Sequence, residues 1–102
     1  MLRTETGTER LVRATLEHRV ASFIYKGLRR TVEPHLIGLH EAGEPMLVAY
    51  QTGGQSGSGE LPGWRTFVLT EIDAVDAEGQ IFNPQPGFNP ESHRMVEIFA
   101  RV

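Results

Sequence analysis

The sequence predicts a mainly β domain: a small, strongly bent β-barrel of four to five strands with one N-terminal α-helix. Three observations lead there. A capping signal followed by a helical apolar period occurs once, at the start. From Val20 the period drops to two. Glycine and proline then recur where short strands must turn or bend. At 102 residues and 39% hydrophobic, the chain is expected to form one domain over residues 1–102, with a helix at about 7–18 and a barrel at about 20–102.

The helix comes first. Thr6-Gly7-Thr8-Glu9 has the form of a capping box, in which Thr6 accepts from the Glu9 amide and the Glu9 side chain reaches back. Leu11, Val12, Ala14, Thr15 and Leu16 follow at helical spacing, with Arg10, Arg13 and Glu17 on the wetter side. Ala21, Phe23 and Tyr25 then alternate with Ser22 and Ile24 up to Lys26-Gly27, a turn signal. Arg29 to His40 reads as a long second strand, bent or bulged near Pro34 because proline has no ladder donor, and Gly38 marks a second bend. After the turn Glu41–Pro45, Met46 to Gln51 is a third strand and Trp64 to Thr70 a fourth. The glycine-rich stretch 52–63 between them is long for a compact domain, so it is read as a mobile or functional loop. Ile72 to Glu78 is expected to be a short helical turn or an irregular linker. Residues 83–90 are irregular because three prolines and a glycine interrupt them, and Met95 to Val102 returns to strand character.

Composition narrows the function classes. With no cysteine there is no disulfide, thiolate nucleophile or cysteine-based zinc site, which suits a reducing cytoplasm. The first residues contain Glu5, Glu9 and Glu17 and lack the apolar core of a secretory signal, and no stretch is long enough to span a membrane. Net charge is −3, which argues against non-specific, charge-driven binding to long nucleic acid. The charge is unevenly spread. Residues 1–30 hold seven Arg or Lys against three Glu, and residues 31–102 hold three Arg against ten acids, so the halves carry +4 and −7.

A short helix, a strand ending in Tyr25, the run Arg30-Thr31-Val32-Glu33-Pro34, the strand Met46–Tyr50 and then Arg65-Thr66-Phe67-Val68-Leu69-Thr70-Glu71-Ile72 together resemble the WYL domain family. The resemblance covers roughly residues 8–75. The name-giving Trp-Tyr-Leu falls at Pro45-Met46-Leu47, so the chain is similar to a single, variant WYL domain lacking the Trp-Tyr pair. The resemblance implies an Sm-like small barrel acting as a bacterial regulatory domain in transcription regulation or defence. It also implies sensing of nucleic acid or nucleotide-like ligands, with Tyr25, Arg30 and Arg65 as the matching positions.

The residues themselves support a similar expectation. Guanidinium groups pair with phosphate and aromatic rings stack on bases, so Tyr25, Arg30, Arg65 and Trp64 are the candidate ligand-binding residues. For Arg65 the alternative is an internal salt bridge with Glu33 or Glu71, and for Tyr25 it is packing in the core or at the barrel rim. Arg29 and Arg30 should face opposite ways. Trp64, following Pro62-Gly63, is the ring expected to be exposed. The loop at 52–63 lacks the Gly-Lys-Ser/Thr ending of a P-loop. His18, His35, His40 and His93 do not form a metal motif, and His35 and His40 should point to opposite faces of a regular strand. Ser56 and Ser58 adjoin no histidine, so no catalytic residue, metal or cofactor is assigned. The expected function is non-catalytic: a ligand-sensing domain for a nucleotide, short single-stranded nucleic acid or another anion. The alternative is a protein-interaction or homodimerisation module, with the Met95–Val102 strand as its edge.

Overall fold

The computed structural model describes residues 4–57 and 59–102, so Ser58 lies outside the described residues. The helix α1 (Gly7–Glu17) begins at the expected capping box: Thr6 Oγ1 accepts from Glu9 N at 3.1 Å, and Thr6 N donates to Glu9 Oε1 at 2.9 Å. It ends at His18, whose left-handed backbone (φ 57°) lets its N–H bond back to the Ala14 and Thr15 carbonyls. Leu11, Ala14 and Thr15 form its buried face, and the Thr15 hydroxyl is satisfied by Leu11 O at 2.7 Å.

Six antiparallel strands follow: β1 (Ala21–Tyr25), β2 (Leu28–His40), β3 (Pro45–Gly54), β4 (Gly63–Val68), β5 (Ile72–Asp76) and β6 (Met95–Arg101). The hydrogen-bonded order is β4-β3-β2-β1-β5, with β6 also on β2. The 13-residue β2 is the organiser. It lies along β3 on one edge, while its other edge carries β1 over Leu28–Val32 and β6 over Leu36–His40.

Two expectations need correction. The segment after Glu71 is not a helical turn or linker but β5, paired with β1 through Ser22↔Asp76 and Tyr25↔Ile72; the only helical turn there is the 3-10 turn Leu69–Glu71 that leads into it. Ile72 and Val75 are three apart among acidic neighbours, so no period-2 alternation marked a strand that is half-buried at best. The sheet also has six strands and does not close: β4 and β5 stand at the two ends of the order. The chain itself runs from one end to the other through the Leu69–Glu71 turn, and a side chain braces the crossing. Tyr25 Oη accepts from Val68 N at 3.1 Å and donates to Glu71 Oε2 at 3.2 Å.

The curved sheet folds its concave face over one core containing Leu11, Phe23, Tyr25, Val32, Ile37, Leu47, Phe67 and Leu69. Phe67 meets Phe23 and Tyr25 edge-on, with ring centroids 5.0 and 4.9 Å apart. Burying a phenylalanine of this kind contributes roughly 1.5–3 kcal/mol. The outer face of β2–β4 is not left to solvent. His35, Leu36 and Val48 are buried there, and the irregular segment Ile81–Arg94 brings Phe82 and Phe88 against the His35 ring. Among the described residues no helix is long and apolar enough to cross a membrane.

Candidate functional site

Strand alternation divides the four candidate residues between two faces. Arg65 shares the concave face with Phe67, whereas its neighbour Trp64 pairs with Tyr50 on the outer face. Arg29 and Arg30 separate as expected. Arg29 is exposed and donates to Ser22 Oγ at 3.3 Å, while Arg30 is buried.

Arg30 is the most unusual of these groups. It is only 6% exposed, and its guanidinium lies 5.6 Å from the Tyr25 ring centroid and 5.8 Å from that of Phe67. Its hydrogen bonds are long: Nη1 to Gln51 Oε1 and Nη2 to the Tyr25 carbonyl, each 3.5 Å. Nε has no partner. Among the described residues no carboxylate forms an ion pair with it. Two aromatic faces offset part of the lost hydration, on the order of 1–2 kcal/mol, against a desolvation penalty of several kcal/mol for a buried charge. The site is electrostatically undercompensated.

Arg65 is half-buried and is not neutralised by Glu33 or Glu71. Its guanidinium donates instead to Trp64 O (2.8 Å), Glu60 O (3.0 Å) and Ser56 Oγ (3.4 Å). Arg30 reaches the same loop indirectly, because the buried Gln51 that accepts from it donates its Nε2 to Gly53 O at 3.0 Å and Gln55 O at 2.9 Å. The two arginines therefore grip adjacent positions, Gln55 and Ser56, of the glycine-rich loop. Gly54 (φ 81°) lets that loop pass close to β2, since a Cβ there would stand 2.2 Å from Arg29 O. Tyr25, 7% exposed, is a core and bridging residue with both of its hydroxyl bonds used inside the protein.

The outer face holds what the sequence reading missed. His35 is fully buried, with Nδ1 2.8 Å from Glu33 O and Nε2 accepting from Gln85 N at 2.9 Å. Nδ1 must carry the proton to donate to a carbonyl, so both nitrogens are committed in the neutral ring. Burial pushes its pKa below the ordinary histidine value, against the smaller opposing effect of Glu33. Gln85 Nε2 also donates to Glu33 Oε1 at 2.9 Å. The rings of Trp64, Phe82 and Phe88 surround the imidazole at centroid distances of 4.8, 5.3 and 5.1 Å. Phe88 in turn stacks on Trp64 (5.5 Å) and on His93 (5.8 Å). Two phenylalanines flanking a proline-rich stretch were the available signal, because rings in an otherwise polar irregular segment need something to pack on.

The expectation that His35 and His40 face opposite ways also fails. Pro34 pairs with Ala49 and Leu36 with Val48, so His35 is an extra residue on β2. That bulge resets the alternation and leaves both histidines on the outer face. Among the described residues no three His, Asp or Glu side chains are grouped to hold a metal ion. Compared with protein-family models, with curated proteins and with solved structures, the chain has no match.

Proposed function

We propose that this chain is a non-catalytic ligand-sensing domain, a variant of the WYL type, that binds a nucleotide, a short single-stranded nucleic acid or a similar anion. The curved sheet, with β4 turning through Leu69–Glu71 into β5, is read here as an opened version of the small barrel that the resemblance implies. One observation carries the functional reading. Among the described residues Arg30 is a buried cation with an orphan Nε and no carboxylate partner, beneath a loop that Arg65 also holds. A protein selected only for stability gains little from such a group, since an apolar side chain of similar volume does as well or better. An anion reaching Arg30 and Arg65 would supply the missing countercharge and take over the bonds now made to Gln51, Ser56 and Glu60.

The test is a thermal-shift screen of nucleotides and short oligonucleotides on the wild-type chain and on Arg30→Met. Binding raises the wild-type melting temperature. Arg30→Met keeps or raises the ligand-free melting temperature, by an amount equivalent to about 1 kcal/mol, and shows a smaller response than wild type. If no member of the screen moves the wild-type value, the reading fails for those ligands. If Arg30→Met unfolds the domain instead, the arginine is structural.

A second reading has its own observation. Val96, Ile98 and Phe99 on β6 and Leu16 on α1 are exposed to 65%, 45%, 39% and 61%. Of these, Leu16 and Phe99 line one cleft beside Val12, and exposed apolar side chains of this kind mark a protein-interaction or homodimerisation surface.

A further inference from the structure

The outer face carries a groove separate from the Arg30 site. Two cavities, of about 220 and 310 Å³, meet there and share Ser92 and His93. The larger is walled by Trp64 and Phe88, and the smaller by His40, Thr66 and Arg94. Trp64 and Thr66 are two apart on β4, so they stand in one row on its outer face and join the two halves of the groove.

The halves differ in chemistry. At one end Trp64, Phe88 and His93 form a run of near-parallel rings, with interplanar angles of 24° and 20° along it. Trp64 remains 40% exposed, leaving ring surface for a further planar group. At the other end are a guanidinium and an imidazole. His40 Nδ1 accepts from Ala42 N at 2.9 Å, so the proton of the neutral ring sits on Nε2. Among the described residues, His40 Nε2, the Thr66 hydroxyl and the Trp64 indole N–H form no hydrogen bond to the protein. Among the described residues Arg94 pairs only with Glu41, at 3.2 Å and largely in solvent, a contact that a phosphate could readily share or displace. The Arg94 backbone is left-handed (φ 57°), a conformation costly for a residue with a Cβ, and it follows the turn Pro90–His93 directly.

We propose that this groove binds a mononucleotide-like ligand, a planar aromatic ring bearing one phosphate. The ring stacks on the Trp64–Phe88–His93 run, and the phosphate accepts from Arg94 and His40 Nε2. Thr66 and Ser92, between the two ends, face the linking sugar or its equivalent. This site does not depend on the Arg30 reading, because the two lie on opposite faces of the sheet.

Trp64 is the single tryptophan, so the chain has one indole N–H resonance and it reports directly on the groove. The full chain is titrated with adenosine monophosphate, adenosine and inorganic phosphate in separate arms. Adenosine monophosphate shifts the indole resonance saturably, adenosine binds more weakly, and phosphate alone is weakest. Arg94→Gly keeps the left-handed backbone without strain while removing the guanidinium. It weakens adenosine monophosphate by about tenfold or more and leaves adenosine unchanged. Arg30→Met leaves both affinities as they were. An indole resonance that does not move with adenosine monophosphate overturns the proposal. So does phosphate binding as tightly as the nucleotide, which would leave no role for stacking. Binding that survives Arg94→Gly but is lost in Arg30→Met places the ligand on the concave face and overturns it as well.

Discussion

Two buried polar side chains, Arg30 and His35, show opposite solutions to the same problem. His35 satisfies both ring nitrogens at 2.8 and 2.9 Å, so its burial costs little while it is neutral. Arg30 cannot become neutral and makes only long contacts. For His35 this gives a pH dependence with a definite sign. Its folded pKa lies below the ordinary value of 6.5, so the unfolded chain binds the proton more readily. The stabilisation is complete above pH 6.5 and is lost as pH falls from there through the lower folded pKa, at up to about 1.4 kcal/mol per pH unit for one proton. Glu33 opposes this shift, His18 adds to it, and His93 is lowered by its own burial. Urea unfolding at a series of pH values should show stability declining below that point. His35→Gln, which can still accept from Gln85 N but does not titrate, should flatten much of the decline. An equally steep decline in the variant would assign it to other groups.

At the scale of elements, β2 shows which features of a strand local sequence reveals. Its length, an irregularity near Pro34 and the opposed directions of Arg29 and Arg30 were all legible, because alternation and the missing proline donor are local properties. A bulge near Pro34 was also legible, but its exact place at His35 was not, since that depends on register with β3, and one extra residue reversed the facing of every later side chain. Gly38 was read as a bend. Its tertiary reason is the close crossing of β6: a Cβ there would stand 2.2 Å from Glu97 O and 3.1 Å from Ile98 Cα. Gly38→Ala should therefore push β6 away from β2, at a cost of roughly 1–3 kcal/mol. Hydrogen exchange would show faster exchange at the β6 amides than in β1 and β3. Unchanged β6 protection would mean the strand can shift without loss.

For the whole molecule, the sheet has a concave core sealed by α1 and an outer layer sealed by Phe82 and Phe88, while the outward side of β6 stays open. If that open side is an interface between copies, sedimentation should show a dimer forming at micromolar concentrations. Ile98→Lys, at a position 45% exposed, should then shift the protein to monomer with little change in melting temperature. A wild-type chain that stays monomeric throughout would remove self-association from the account of this surface.

The candidate site divides along the same line. Trp64 as the exposed ring and the opposed facing of Arg29 and Arg30 came from residue type and alternation, whereas which of the two arginines is buried came from the fold. That Arg65 would tie down a loop rather than pair with an acid depended on how the glycine-rich loop folds back over β4, five to nine residues away. The stacking of Phe88 and His93 beside Trp64 came from a segment more than twenty residues further along the chain. Capping, apolar period and turn chemistry act over a few residues, so the chain alone determined the helix, most of the strands and the faces of β2 up to its bulge. Pairing register, the acidic edge strand β5, the open ends of the sheet and the aromatic outer layer depend on contacts between distant segments, and only the tertiary fold decided them.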